Sequence, residues 1–158
     1  NLYGPGDNYD LSSSHVLPAL IRKMHEARER DEQEVEIWGT GTPRREFLHS
    51  GDLAAACLLL MGLSDADFDG LLTAAGAEAL VNVGCGEDLS IRELSEVVRR
   101  VVGFGGELRF NPDYPDGTPR KLLDISRISA LGWAPAVSLE AGIAAAYADF
   151  LQRTAPMN

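Results

Sequence analysis

The sequence is poor in cysteine, in positive charge and in long apolar runs. Its two cysteines, Cys57 and Cys85, form no CxxC pair and are too few for a disulfide framework, so we expect reduced thiols in a cytoplasmic protein. No apolar stretch approaches the roughly 20 residues of a membrane-spanning helix, and we expect no integral membrane protein. Lys and Arg total 14 against 24 Asp and Glu; this net charge of −10 argues against a nucleic-acid-binding or membrane surface, because phosphate backbones need a basic footprint.

Composition and length describe a folded chain. Hydrophobic residues make up 45% and charged residues 24% of the 158 residues, which excludes a disordered tail and corresponds to one domain or part of a larger one. The opening residues, 1–5, read as the end of a strand entering a turn, without an initiator Met or a signal-like segment. We therefore expect a fragment whose upstream part is missing.

Periodicity predicts short strands alternating with helices, an α/β fold that forms part of an enzyme rather than a complete doubly wound sheet. Helices are predicted over 15–30 and 52–63 and from Ser90, Ser126 and Ser138; strands are predicted over Glu34–Trp38, 44–49, 80–83 and 107–110, and a surface connection over 64–79. Residues 34–49 could form a hairpin around the turn 39–43. The helix at 52–63 is apolar on most sides, which predicts burial and places Cys57 in the core.

Several functional motifs are missing from the sequence. It contains no GxGxxG dinucleotide fingerprint, no GxxxxGK[ST] phosphate loop, and no His or Cys pair with metal-ligand spacing, so we expect no metal site. The Gly39-Thr40-Gly41 segment follows a predicted strand but opens no helix. A turn is therefore the simpler interpretation of these glycines.

Three basic pairs interrupt the acidic sequence: Arg22-Lys23, Arg44-Arg45 and Arg120-Lys121. Converging pairs could bind a pyrophosphate, because arginine grips phosphate with two parallel hydrogen bonds and stays charged. The alternative is that each pair is a solvated face or is neutralised by neighbouring carboxylates.

Two single residues add to these candidates. Trp38 ends a strand beside a glycine turn, where its indole could pack on a sugar or base or could simply be structural. His15 begins a helix, whose N-terminus disfavours the charged imidazolium, so a proton-exchanging role stands beside a structural one.

Several segments together resemble one family, the GDP-L-fucose synthases, which are extended short-chain dehydrogenases/reductases. The two most specific strings are SHV-x-PALIRK over residues 14–23 and WGTGTPRREFLH over residues 38–49. Residues 1–8, 81–84, 115–124 and 131–133 also fit the family. The resemblance runs nearly from end to end of the chain.

The resemblance implies that residues 1–158 are the C-terminal, substrate-binding domain, with the N-terminal Rossmann region outside this chain. The family's enzymes convert GDP-4-keto-6-deoxy-D-mannose to GDP-L-fucose by epimerisation at C3 and C5 and NADPH-dependent reduction at C4, and a homodimer is expected. By position, His15 matches the catalytic acid/base, and it lies with Asn1 and Leu2 on the cofactor side. The matched substrate-binding positions are Lys23, Trp38, Arg45, Asp116 and Lys121. NADP(H) is expected to bind mainly to the missing region.

The sequence departs from the family pattern at two places. Ser50-Gly51 stands where the family usually has Val-Asp, and Tyr114 replaces a lysine before Pro-Asp-Gly, which removes one cation from the loop expected to close over the nucleotide. Two other hypotheses remain: a stand-alone nucleotide-sugar-binding module without catalysis, and a related NAD(P)-dependent nucleotide-sugar epimerase or dehydratase.

Overall fold

The computed structural model describes residues 1–73 and 80–155. Within these ranges the helices are α1 Val16–Glu29, α2 Ser50–Met61, α3 Asp65–Thr73, α4 Ile91–Val102, α5 Ser126–Ala130 and α6 Leu139–Thr154. The strands are β1 Leu2–Tyr3, β2 Glu34–Trp38, β3 Arg44–Arg45, β4 Leu48–His49, β5 Leu89–Ser90, β6 Glu107–Asn111 and β7 Arg120–Lys121. The α/β class is confirmed. Of the connection predicted over 64–79, residues 65–73 form α3, and residues 74–79 lie outside the described residues.

The main core is built by three helices that pack beside β2. α1 contributes an apolar stripe at steps of three and four residues, including Leu17, Ile21 and Met24, all at most 2% exposed. Residues of α4 and α6 complete the cluster together with Val35 and Ile37. A smaller cluster joins Leu48, Ala56, Ile128 and Trp133.

The predicted helix starts agree best with the structure where a capping residue begins the helix. Ser90 and Glu93 form a reciprocal capping box at the start of α4, and Gly103 ends this helix in the left-handed conformation, at φ 75°. Ser138 likewise caps α6 by accepting a hydrogen bond from the Ala141 amide. The capping position of α1 is occupied by His15 and not by one of the preceding serines. The His15 side chain makes no capping hydrogen bond.

The predicted hairpin over 34–49 is wrong. β2 pairs with β6 in parallel, from Glu34 opposite Glu107 to Trp38 opposite Asn111. β3 instead lies between β5, to which it is antiparallel, and β7, to which it is parallel. β4 pairs with β1 in parallel, so the predicted strand at 44–49 is divided between two sheets. The Gly39–Pro43 turn therefore passes the chain from one sheet to another.

Two further predictions are wrong for the same reason, a lack of partners within the described residues. Residues 80–83 form no strand, although Val81 and Val83 pack on the smaller core. α2 starts at Ser50 and buries only Asp52 and Ala56, while Cys57 is exposed and Met61 is 81% exposed. The apolar composition of α2 predicted burial, but the described residues cover only one side of this helix. No helix among the described residues has the length and apolar character needed to cross a bilayer.

Candidate functional site

A cavity of about 320 Å³ lies between α1, the end of β2, β3 and the loop that follows β6. Five of the residues singled out from the sequence line it: Asn1, Lys23, Trp38, Arg45 and Asp116. Apolar side chains of α1 and β2, among them Leu20 and Ile37, form its floor. The fold thus brings together residues that are widely separated along the chain.

Lys23 occupies the α1 wall of this cavity. Its ammonium lies 4.8 Å from the centre of the Trp38 ring and donates a hydrogen bond of 3.3 Å to the Glu36 carbonyl. Burial lowers the pKa of the Lys23 ammonium, an effect that the charge of Glu36 partly offsets. The cation is therefore held in place by a ring and a neutral carbonyl.

Trp38 forms an aromatic wall with Tyr114. The two rings are stacked, with centroids 4.7 Å apart and planes 12° apart, while the Trp38 residue remains 57% exposed. The residue that departs from the family pattern thus contacts a predicted substrate-binding residue. Tyr114 therefore contributes an aromatic contact at this position.

Asp116 fastens the loop after β6 to the turn after β2. Its carboxylate accepts bonds of 2.7 Å from both the amide and the hydroxyl of Thr40. Gly39 lies directly beneath this carboxylate at φ 84°, and a side chain at this position would collide with Asp116. In this structure the Asp116 carboxylate therefore positions the loop.

The basic pairs of β3 and β7 lie side by side. In the parallel register Arg44 is opposite Arg120 and Arg45 is opposite Lys121. The Asp88 carboxylate accepts a 2.7 Å bond from Arg44 Nε and a further short bond from Arg120 Nε. The Arg120 bond and then the Arg44 bond hold the pKa of Asp88 below its usual range.

Each basic pair divides its two cations in the same way. One member binds a carboxylate: Arg22 lies 2.6 Å from Glu26, while Arg44 and Arg120 share Asp88. The other members are Lys23, Arg45 and Lys121. Within residues 1–73 and 80–155, none of these three has a carboxylate oxygen within 4.0 Å. In a chain with a net charge of −10, these are cations left available for an anion.

The remaining predicted residues lie at the margin of the cavity. His15 is exposed and is flanked in sequence by Ser14 and Val16, which both line the cavity. Leu2 is 50% exposed and adjoins Asn1, whose amide donates a 2.8 Å bond to the Glu46 carbonyl. Lys121 is exposed on the strand next to Arg45 and outside the cavity lining.

Sequence reasoning missed two acidic residues that organise this region. Asp88 links β3 to β7, and the carboxylate of Glu46, a residue that is 3% exposed, accepts bonds from the amides of Cys85, Gly86 and Leu123. Their partners lie 32 to 77 positions away, so no local pattern indicates them. A second cavity, of about 500 Å³, is lined by Asp88 and His49 but by none of the three unpaired cations. Among the described residues, no three His, Cys, Asp or Glu side chains cluster as metal ligands.

The chain is similar to several known proteins over nearly its whole length. Residues 1–71 match the NAD dependent epimerase/dehydratase family. The chain is 49% identical over 152 residues to GDP-L-fucose synthase 1 of Arabidopsis thaliana, covering 96% of this chain and 44% of that protein. It is 48% identical to the GDP-L-fucose synthase of Escherichia coli K12, covering 96% of this chain and 47% of that enzyme.

A solved structure has the same fold, and this chain again corresponds to about half of its length. The GDP-6-OMe-4-keto-L-xylo-heptose reductase from C. jejuni is 36% identical and superimposes with a TM-score of 0.87, covering 98% of this chain and 52% of that one. The chain thus spans about half the length of the proteins it matches. Over 96% of its own length the chain is similar to proteins named GDP-L-fucose synthase.

Proposed function

We propose that residues 1–158 are the substrate-binding portion of a GDP-L-fucose synthase, whose dinucleotide-binding portion lies outside this chain. The complete enzyme would convert GDP-4-keto-6-deoxy-D-mannose to GDP-L-fucose by epimerisation at C3 and C5 and reduction at C4. The observation that carries this proposal is the set of three cations, Lys23, Arg45 and Lys121, without carboxylate partners within the described part of the chain.

These cations fit the diphosphate of a nucleotide sugar. Lys23 on α1 and Arg45 on β3 line the same cavity. Lys121 on β7 is paired with Arg45. Charge-assisted hydrogen bonds from Lys and Arg are the strong contacts that phosphate oxygens make in proteins. Trp38, exposed at the rim, offers a flat apolar surface to the base or sugar.

His15 would supply the acid/base chemistry of epimerisation. Removing a proton from a carbon next to a ketone forms an enolate. To invert that carbon, a positioned acid must then donate a proton to its opposite face. His15 is exposed directly before α1, and its sequence neighbours Ser14 and Val16 line the cavity. In this proposal its imidazole would exchange protons with a sugar bound in the adjacent cavity and with solvent.

The NADP(H) expected for this family would contact the chain at one edge. Asn1 lines the cavity and Leu2 presents a half-exposed apolar side chain beside it, which fits the carboxamide and ring of a nicotinamide. When bound, the cofactor supplies the hydride for reduction at C4. Homodimerisation and a cytoplasmic location belong to the same proposal; the two cysteines are free in the structure.

A second candidate is the reduction of a different GDP-4-keto sugar without epimerisation. It is favoured by the reductase from C. jejuni, which resembles this chain over 98% of its length. The two candidates share the diphosphate site but differ in their need for His15. A binding module without catalysis would need neither His15 nor the cofactor edge.

The test uses the full-length enzyme with GDP-4-keto-6-deoxy-D-mannose and NADPH, and follows the products by NMR. We expect GDP-L-fucose from the wild type and no epimerised product from His15→Gln, with GDP affinity changed by no more than a few fold. Arg45→Ala should raise KM by about one to two orders of magnitude, the loss of one charge-assisted bond. Wild-type turnover by His15→Gln would remove the acid/base assignment, and tighter binding of UDP than of GDP would contradict the proposed substrate.

A further inference from the structure

Asp88 connects β3 and β7, the two paired strands that carry Arg45 and Lys121 of the candidate diphosphate site. Its side chain is 5% exposed and lies between Arg44 Nε, at 2.7 Å, and Arg120 Nε. The Asp88 carbonyl also accepts a 2.8 Å bond from Arg44 Nη2. A single acidic residue thus binds the first cation of both basic pairs.

The strand register transmits this contact to the other two cations. β3 and β7 pair in parallel, which sets Arg44 beside Arg120 and Arg45 beside Lys121. Successive side chains of a strand point to opposite faces, so the Arg44–Asp88–Arg120 cluster and the Arg45–Lys121 pair lie on opposite faces. Fixing the first pair therefore fixes the position of the second.

β7 needs such a fixed point because it is short and exposed. Its two residues are both exposed, and the loop that precedes it contains three prolines, Pro112, Pro115 and Pro119. Among residues 1–73 and 80–155, the end of this loop is joined to β3 outside the strand pairing by one backbone bond, which the Arg44 amide donates to the Pro119 carbonyl at 2.8 Å. Without Asp88, Arg44 and Arg120 would be like charges directly opposite each other, an arrangement that destabilises strand pairing.

We propose that Asp88 is a positioning residue that, by binding Arg44 and Arg120, sets β7 against β3 and places Arg45 and Lys121 side by side for the diphosphate of the nucleotide sugar. This inference rests on the proposed function and assigns Asp88 no contact with the substrate. Its effect is confined to the charged end of the ligand. The base and the reacting sugar carbons depend on other residues.

Comparing the binding of GDP with that of guanosine distinguishes a positioning role of Asp88 from a general loss of structure. In the full-length enzyme, Asp88→Asn should weaken GDP binding at least about tenfold, or roughly 1.4 kcal/mol, while guanosine, which has no phosphate, binds within about twofold of wild type. KM for the GDP-sugar should rise by a similar factor, with kcat nearly unchanged. Asp88→Glu, which restores the charge, should recover part of the affinity. Glu87→Gln is the matched control, because it removes the same charge from the adjacent exposed residue.

A second variant covers the case in which Asp88→Asn does not fold. Arg120→Gln keeps the Asp88–Arg44 pair and removes the like-charge neighbour, and it should also weaken GDP but not guanosine. Unchanged GDP affinity in both variants overturns the positioning role and leaves the proposed function standing. Equal weakening of GDP and guanosine overturns it as well, since the effect would then extend beyond the diphosphate. If the wild-type enzyme binds no GDP, this inference and the proposed function both fail.

Discussion

Lys23 shows how a single side chain can be both structurally held and chemically available. Its ammonium rests against Trp38 and the Glu36 carbonyl without a carboxylate within 4.0 Å in the described ranges. The family resemblance was sufficient to single out this lysine. The sequence could not show its contact with Trp38, because the two residues meet only when α1 packs beside the end of β2.

The partial burial of Lys23 has a consequence for binding at alkaline pH. Its pKa is lowered from the usual 10.5, so the ammonium loses its proton, and with it the attraction for phosphate, at a lower pH than a free lysine. We expect GDP affinity of the full-length enzyme to fall as the pH rises toward 10. Lys23→Arg should flatten this fall, because guanidinium stays charged throughout.

Calorimetry with GDP across pH 7 to 10 measures the difference between the two proteins. Protonation changes of GDP itself affect the wild type and Lys23→Arg equally, so they cancel in the ratio of the two affinities. Parallel affinity profiles for wild type and Lys23→Arg would show that the Lys23 charge does not contact the ligand.

Tyr114 illustrates the limit of position-by-position comparison. As a departure from the family pattern, it predicted one missing cation in the closing loop. The structure places its ring on Trp38 at 4.7 Å, so the residue contributes a different interaction at the same place. Pattern comparison can detect such an exchange, but the new contact depends on how the loop is fastened by Asp116 to Thr40.

At the scale of elements, local signals predicted boundaries but not partners. The Ser90–Glu93 capping box depends only on neighbouring residues, and the helix that it starts was predicted correctly from Ser90. The pairing of β2 with β6 depends on a segment far along the chain, and the adjacent segment was wrongly chosen as its partner. An alternating strand pattern specifies which face is buried, whereas it carries little information about which strand lies alongside.

α2 carries a buried anchor that its composition concealed. The helix was predicted to start at Asp52, but it starts at Ser50 and Asp52 lies within its first turn. Asp52 is 5% exposed, and its carboxylate accepts 3.1 Å bonds from the amides of Ala136 and Val137. This contact ties α2 to the segment that leads into α6. The polar residue therefore fixes a helix whose apolar side chains are largely exposed in the structure.

Removing this anchor should destabilise the fold. Asp52→Ala leaves two amides without their acceptor, and we expect the free energy of unfolding to fall by about 2–4 kcal/mol. Asp52→Asn, which keeps one acceptor oxygen, should lose less. Asp65→Ala, an exposed aspartate in the first turn of α3, is the control and should cost under about 1 kcal/mol. Urea unfolding measures all three, and a loss below about 1 kcal/mol for Asp52→Ala would contradict the anchoring role.

At the scale of the whole molecule, charge is unevenly distributed. The chain carries 24 acidic and 14 basic residues, and many of the basic residues described are paired with carboxylates, as in Arg109 with Glu34 and Glu36. The unpaired Lys23 and Arg45 meet at one cavity. The convergence of these cations depends on the packing of α1, β2 and β3, which no single segment encodes.

If local cations rather than net charge govern binding, two substitutions of equal charge should behave differently. Lys23→Met removes a cation from the cavity, whereas Arg100→Met removes one from the exposed face of α4, where its nearest carboxylate is Glu140 at 3.8 Å. In the full-length enzyme at about 0.1 M salt we expect Lys23→Met to weaken GDP binding about tenfold and Arg100→Met to leave it within about twofold, because exposed charges farther apart than the Debye length of about 10 Å are largely screened. Raising the salt should weaken the wild type toward the Lys23→Met value while guanosine affinity stays constant. Equal losses in the two variants would mean that the acidic molecule as a whole, and not this cavity, sets the affinity for the anion.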